Sequence, residues 1–225
     1  MIMGKVIIQN ETVKNPITLI GRQAGICYGA DITYDDKNFK RGLDCLAANH
    51  GRTLEFPDVY MVLDGYSARV IREWYTHIGG APTRLQASTR YIKYWKGFDY
   101  ITPPSIFADP YTNDVYKDCM EYIRICAEKL HEAGIPQEDI ANILPLGMTT
   151  KIVCKHNARN LIDMSHVRLC SRAYWEYRCL FLDVMQALRD YSEEWAYIVD
   201  NYFKPKCDLV GYCTETKSCG RHAKN

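Results

Sequence analysis

Apolar positions recur along this chain with two different periods, and they predict both strands and helices. Lys5–Gln9 (KVIIQ) and Phe56–Leu63 (FPDVYMVL) are short runs rich in β-branched and aromatic residues, the composition of strands. Asn15–Pro16 offers a helix start that Ile17–Ala24 continues. Asp35–His50 carries helical spacing at Phe39, Leu43 and Leu46, and Gly51 supplies a stop. Ser67–His77 has an apolar stripe at Val70, Ile71, Trp74 and Tyr75, ended by Gly79-Gly80-Ala81-Pro82. Asp109–Ala133 is predicted as a long helix with Val115, Cys119, Tyr122, Ile123, Cys126 and Leu130 on one face. After the Gly134-Ile135-Pro136 break a short helix runs to Asn142. Asn157–Cys170 and Arg172–Phe203 are the most strongly periodic helical segments. Strands and helices mix without regular βαβ alternation. The expected fold is therefore α+β, mixed helices around a small central sheet, in a single domain over residues 1–203. Residues 204–225 are set apart as a Cys-rich C-terminal tail.

Composition narrows the function classes. The 225 residues carry 28 basic and 27 acidic side chains, a formal net charge of +1, so bulk charge calls for no nucleic-acid partner. Nothing near Met1 has the apolar core and cleavage pattern of a signal peptide. No apolar run reaches the roughly 18 residues of a membrane span. A cytoplasmic protein is the expectation, and scattered cysteines such as Cys45 and Cys154 then read as reduced, small core residues.

Two segments carry candidate chemistry. The first is Arg72–Tyr91 (REWYTHIGGAPTRLQASTRY), in which a helix ends at a Gly-Gly-Ala-Pro break and a loop follows. Between Thr83 and Arg90 lie Arg84 and Arg90 with the hydroxyls of Thr83, Ser88 and Thr89. Planar guanidiniums and hydroxyls suit a phosphate or nucleotide. A solvated loop with Arg–carboxylate pairs is the plainer alternative. The second segment is the tail, where Cys207, Cys213, Cys219 and His222 form a C-x(5)-C-x(5)-C-x(2)-H array. Three thiols and an imidazole can close a tetrahedral zinc site, but the spacing is not that of tight C-x(2)-C knuckles, a loose tail with ordinary thiols is the plainer reading, and no metal ligand is assigned.

Arg72, Trp74, His77, Ser88, Arg90 and Tyr91 fall on a family pattern, RHR-x-x-S-x-N-E-x-S-x-R-Y preceded by an Arg-Gln-aromatic helix segment. Downstream, Leu144-Pro145, Thr149-Thr150, Asn157-Ala158-Arg159-Asn160-Leu161, Arg168 and Ala173-Tyr174-Trp175-Glu176 follow the rest of that pattern without a gap. On these residues the chain resembles the flavin-dependent thymidylate synthases from about Cys27 to Leu188. The resemblance is that of a divergent member. Glu73 replaces a Gln, Thr76 and Ile78 replace two Arg, Gln86 replaces a Glu, Ala141 stands for an Arg, and two extra residues separate His77 from Ser88.

The resemblance implies an enzyme that methylates dUMP to dTMP. It implies FAD as cofactor, with methylene-tetrahydrofolate and NADPH as co-substrates, and no cysteine attacking the uracil. Arg168 is then the catalytic residue, placed by the pyrimidine, and Glu73, Gln86, Ser88 and Arg90 join it in binding the nucleotide. His77, Ile78, Asn157, Arg159 and Asp163 match flavin-contacting positions, and Cys27 stands where a flavin-contacting Ser is frequent. Glu73 would repel a phosphate unless Arg84 or Arg72 neutralised it. Asn157, Leu161, Met164 and Arg168 recur at i, i+4, i+7 and i+11, one face of a helix, which predicts Asn157 and Arg168 in one pocket. The family is usually a homotetramer with sites at subunit junctions. The altered loop keeps two alternatives open: alkylation of UMP or a cytosine nucleotide, and non-catalytic flavin or nucleotide binding.

Overall fold

The computed structural model describes residues 4–224. Its fold is α+β: four strands form one antiparallel sheet in the order β1-β2-β4-β3. These are β1 (Lys5–Ile8), β2 (Asp58–Ser67), β3 (Thr83–Gln86) and β4 (Thr149–Asn157). Among the described residues no helix is long and apolar enough to cross a membrane.

Side-chain alternation builds the two long strands. Val59, Met61 and Leu63 on β2, and Ile152 and Cys154 on β4, are buried while their neighbours face outward. Lys151 reaches Asp64 at 2.7 Å, and Lys155 reaches Asp58 at 3.1 Å, which pins the register of the pair from its outer face. The apolar-run reading of the sequence finds β1 and β2 but not β4, whose lysines and His156 dilute the strand composition. β3 likewise lies in the stretch expected to be loop.

The chain forms two compact units. The first takes Gly4 and Lys5, Leu63–Glu73 and Leu85–Ile152. Its helices are most of α3 (Ala68–Trp74), then α4 (Pro104–Phe107), α5 (Pro110–Glu132) and α6 (Gln137–Ile140). Ser67 accepts the Val70 N–H and so caps α3. Asp109 does the same for α5 through Thr112, with Pro110 at the first helical position. Met120 and Ala127 bury the inner side of α5. Its predicted apolar stripe is split: Val115 (52% exposed), Cys119 and Tyr122 (69%) point out, while Ile123, Cys126 and Leu130 are half-buried.

The second unit takes Val6–Val62, Trp74–Arg84 and the chain from Val153 onward. It holds α1 (Pro16–Cys27) and α2 (Asp35–Ala47), then α7 (Ala158–Arg168), α8 (Trp175–Tyr191), α9 (Glu193–Tyr202) and α10 (Lys206–Val210). Helices α1 and α2 meet at Gly21 and Gly42. A Cβ at Gly21 would lie 1.8 Å from the Asn38 carbonyl oxygen, and one at Gly42 would lie 2.0 Å from that of Ile17. Only glycine permits backbones this close. Glu194 on α9 accepts both the backbone N–H and the hydroxyl of Thr18, at 3.0 and 2.6 Å, tying α9 to α1. Trp74, Tyr177, Phe181 and Trp195 are the large, fully buried side chains of this unit.

Candidate functional site

Each unit contains one group of the residues singled out from the sequence. In the second unit the group is built on Trp74, the last residue of α3, which is completely buried. Its indole N–H donates to His156 Nε2 at 2.9 Å. The other ring nitrogen, Nδ1, faces Asn160 Oδ1. Accepting at Nε2 leaves Nδ1 as the protonated nitrogen, so the imidazole is held neutral in one tautomer. Burial pushes the His156 pKa down to about 4.

Trp74 also stacks on Tyr177 of α8, with ring centroids 5.7 Å apart. The Tyr177 ring in turn is a shelf for two polar groups. The Arg168 guanidinium lies 4.4 Å above its centroid, and His77 meets it edge-on at 5.9 Å. Arg168 Nε–H donates to His77 Nε2 at 2.9 Å. His77 therefore accepts at Nε2 and stays neutral, its pKa lowered to about 4 by burial first and then by the charges of Arg168 and Arg84. Arg84 donates to the Tyr75 carbonyl at 3.0 Å and to that of His77 at 3.5 Å, and covers the Tyr75 ring. The guanidinium counted in the sequence as an anion ligand thus satisfies carbonyls beyond the end of α3.

Asn157 does not share a helical face with Arg168. It is the N-cap of α7: its side-chain oxygen accepts the Asn160 N–H at 2.8 Å, and its amide donates to the Gly80 carbonyl at 3.3 Å. Gly80 has φ of +71°, and a Cβ there would stand 2.4 Å from Asn157 Nδ2. The cap thus fixes the Gly79-Gly80 turn that follows His77. Ile78 is 72% exposed on that turn. Arg159 sits on the outer side of α7, bonded to Glu55 at 2.6 Å, and Asp163 is exposed further along.

The group in the first unit is a turn after β3. Ala87 N–H donates to the Lys151 carbonyl, which anchors the turn to β4. Ser88 Oγ accepts the Arg90 N–H at 3.2 Å, and the Ser88 carbonyl accepts from Tyr91 and Ile92. Arg90 pairs with Glu138 of α6 at 3.0 Å, both side chains being more than half exposed. Gln137 donates to the Thr89 and Ile92 carbonyls. Gln86 Nε2 reaches Thr150 Oγ1 at 3.4 Å, and Glu73 is half-buried on α3. Sequence reasoning did not anticipate Gln137 or Glu138, which meet partners far along the chain, or Tyr177, which packing alone places under Arg168.

With this geometry in view, residues 8–192 match the family described as thymidylate synthase complementing protein. The chain belongs to that family. A flavin-dependent thymidylate synthase of Geobacter sulfurreducens is 26% identical over 93% of this chain and 91% of its own length. One of Clostridium tetani is also 26% identical, over 99% and 96%. The crystal structure of thymidylate synthase X from Helicobacter pylori with FAD and dUMP superposes with a TM-score of 0.72 and 18% identity, covering 89% of this chain and 99% of that one. Both groups of residues described above lie inside the segment matched to the thymidylate synthase complementing family.

The neutral imidazoles lead to a stability prediction for this family member. His156 has a folded pKa below its unfolded value, so the unfolded chain binds more protons between about pH 6.5 and 4. Its contribution is present above that window and is lost as pH falls through it. The loss amounts to a few kcal/mol in order of magnitude. Urea unfolding at pH 7.5, 6 and 5 should show falling stability, and a His156→Gln variant should show a shallower acid slope. Equal slopes would contradict the assignment of His156 as a neutral, buried base.

Proposed function

We propose that this chain is a flavin-dependent thymidylate synthase that methylates dUMP to dTMP in the cytoplasm. The observation that carries this reading is the Arg168–His77 pair mounted on the Tyr177 ring, at positions that match the family's pyrimidine and flavin contacts. FAD, when bound and reduced by NADPH, supplies the hydride, and methylene-tetrahydrofolate supplies the carbon. The residues present fit a flavin. His77 is uncharged, Ile78 offers exposed apolar surface beside it, and Gly79 and Gly80 are exposed. Asn157 holds that turn, and Arg159 and Asp163 present polar groups on α7.

Arg168 carries out the electrostatic part of the reaction. Its charge is fixed in direction by His77 at Nε and by the ring beneath it, so it needs no reorganisation when negative charge develops on the pyrimidine. One well-aimed donor of this kind is worth about 3 kcal/mol. A protonated His77 would compete for the same region of space with a like charge. Its low pKa keeps it an acceptor for Arg168 throughout the neutral range.

Ser88 and Arg90 are the proposed phosphate-binding residues, and Gln86 and Glu73 stand at positions that face the nucleotide in the family. The Arg90–Glu138 pair is exposed, and such pairs contribute about 0–1 kcal/mol, so a phosphate dianion can displace the carboxylate. Ser88→Ala and Arg90→Ala should weaken dUMP binding roughly tenfold or more while leaving FAD binding close to wild type. Loss of FAD instead would mean that this turn serves the other ligand. Tyr111, Val115 and Tyr122 recur on one exposed face of α5, an apolar stripe that supports the homotetramer.

Product formation from a panel of dUMP, UMP, dCMP and CMP tests the reading. Methylation confined to dUMP is expected. Turnover of another pyrimidine nucleotide in preference to dUMP would assign the altered Thr76–Gln86 loop to a different acceptor.

A further inference from the structure

The C-terminal tail is polar and has no hydrophobic core of its own. Leu209, its longest aliphatic side chain, is 52% exposed. It nevertheless folds back on itself: Cys213 N–H donates to the Ala223 carbonyl at 2.8 Å, and Cys213 and Lys224 form a parallel bridge. This return brings together donors that lie far apart in the chain. Cys170, Cys207, Cys213, Cys219, His166 and His222 line one cavity of about 210 Å³. One ligand atom from each of Cys207, Asp208 and His222 lies within 4.8 Å of the other two. A segment this short, with so little apolar burial, ordinarily needs a disulfide or a metal to hold it.

The polar contacts around the cavity favour a metal. His222 Nε2 is bonded to Asp208 Oδ1 at 2.8 Å, and Arg221 grips both oxygens of the same carboxylate. A carboxylate behind an imidazole fixes its tautomer, the arrangement that metal-ligating histidines use. His222 Nδ1 then remains as the ligating atom. Cys207 Sγ–H points at Asp208 Oδ1, 3.9 Å away.

We propose that Cys207, Cys213, Cys219 and His222 bind one zinc ion, with Asp208 behind the imidazole, and that the ion fastens the tail beside Cys170 at the end of α7. Three thiolates and one imidazole match the closed tetrahedral set of a structural zinc site, in which the ion stabilises the fold and takes no part in turnover. The site is independent of the flavin chemistry and stands or fails separately from it.

The test is metal analysis of the full chain purified without an affinity tag. About one zinc per chain is expected, and Cys207→Ser combined with His222→Ala should lower it roughly tenfold or more. Cys119→Ser, an exposed thiol on α5, should leave it unchanged. Because the double variant can misfold, the wild-type chain is also stripped and titrated with cobalt(II). Stoichiometric growth of thiolate-to-cobalt absorption with tetrahedral d–d bands supports the site. Absence of both zinc and cobalt bands, zinc retained by the folded double variant, or a disulfide among the tail cysteines in freshly purified protein would overturn it.

Discussion

Replacing Arg168 with alanine is expected to lower dTMP formation by about two to three orders of magnitude while leaving FAD binding and cooperative unfolding close to wild type. Arg168 is half-buried at the end of α7, where it touches an aromatic face and a neutral imidazole. The same substitution removes one of the two charges that depress His77, so the His77 pKa should rise. NMR titration of the imidazole reads that rise independently of activity. Arg168→Lys keeps the charge but not the planar fork over Tyr177, and should recover only part of the rate. A fully active Arg168→Ala enzyme with normal kinetics would refute the role.

The largest effect on stability is expected at Trp74. Trp74→Ala should destabilise the chain by about 3–5 kcal/mol. Trp74 is completely buried, stacked on Tyr177, and bonded to His156. Truncation leaves a cavity and an unpaired imidazole nitrogen. Trp74→Phe separates the two terms, because it keeps most of the ring but removes the donor to His156. A loss of about 1–3 kcal/mol is expected for it, the cost of a buried acceptor without a partner. Denaturant unfolding of both variants measures the difference, and an alanine variant as stable as wild type would remove Trp74 from the foundation of the site.

The fold was legible in the sequence wherever local pattern decides it. Pro16, Asp109-Pro110 and Gly134 punctuate α1 and α5 as expected, because caps and breakers act within a turn. β4 was not visible. Its Thr-Lys-Ile-Val-Cys-Lys-His run alternates correctly, but Lys151 and Lys155 are there to meet Asp64 and Asp58 on a neighbouring strand. Such a pairing cannot be inferred before the sheet is known. Asn157 was misread for a related reason. Its spacing from Leu161 suits a helix face, yet it is the cap, and a cap side chain turns back onto its own backbone.

The candidate site was legible as residue types but not as contacts. The match picks out His77 and Arg168, 91 positions apart, without indicating that they touch. Tyr177 had no distinguishing mark in a chain with 17 tyrosines, and only packing makes it the shelf under Arg168. Arg84 illustrates the opposite error. A guanidinium in a polar loop suits an anion, but here it is placed by carbonyls beyond the end of α3.

The measurement that most directly tests the central claim is the absorbance spectrum of the purified chain with FAD, before and after dUMP is added. The account predicts flavin bands that stay with the protein through gel filtration and shift when dUMP binds, with the shift weakened in Arg90→Ala. A folded chain that retains no flavin, or whose flavin spectrum is indifferent to dUMP, would contradict it.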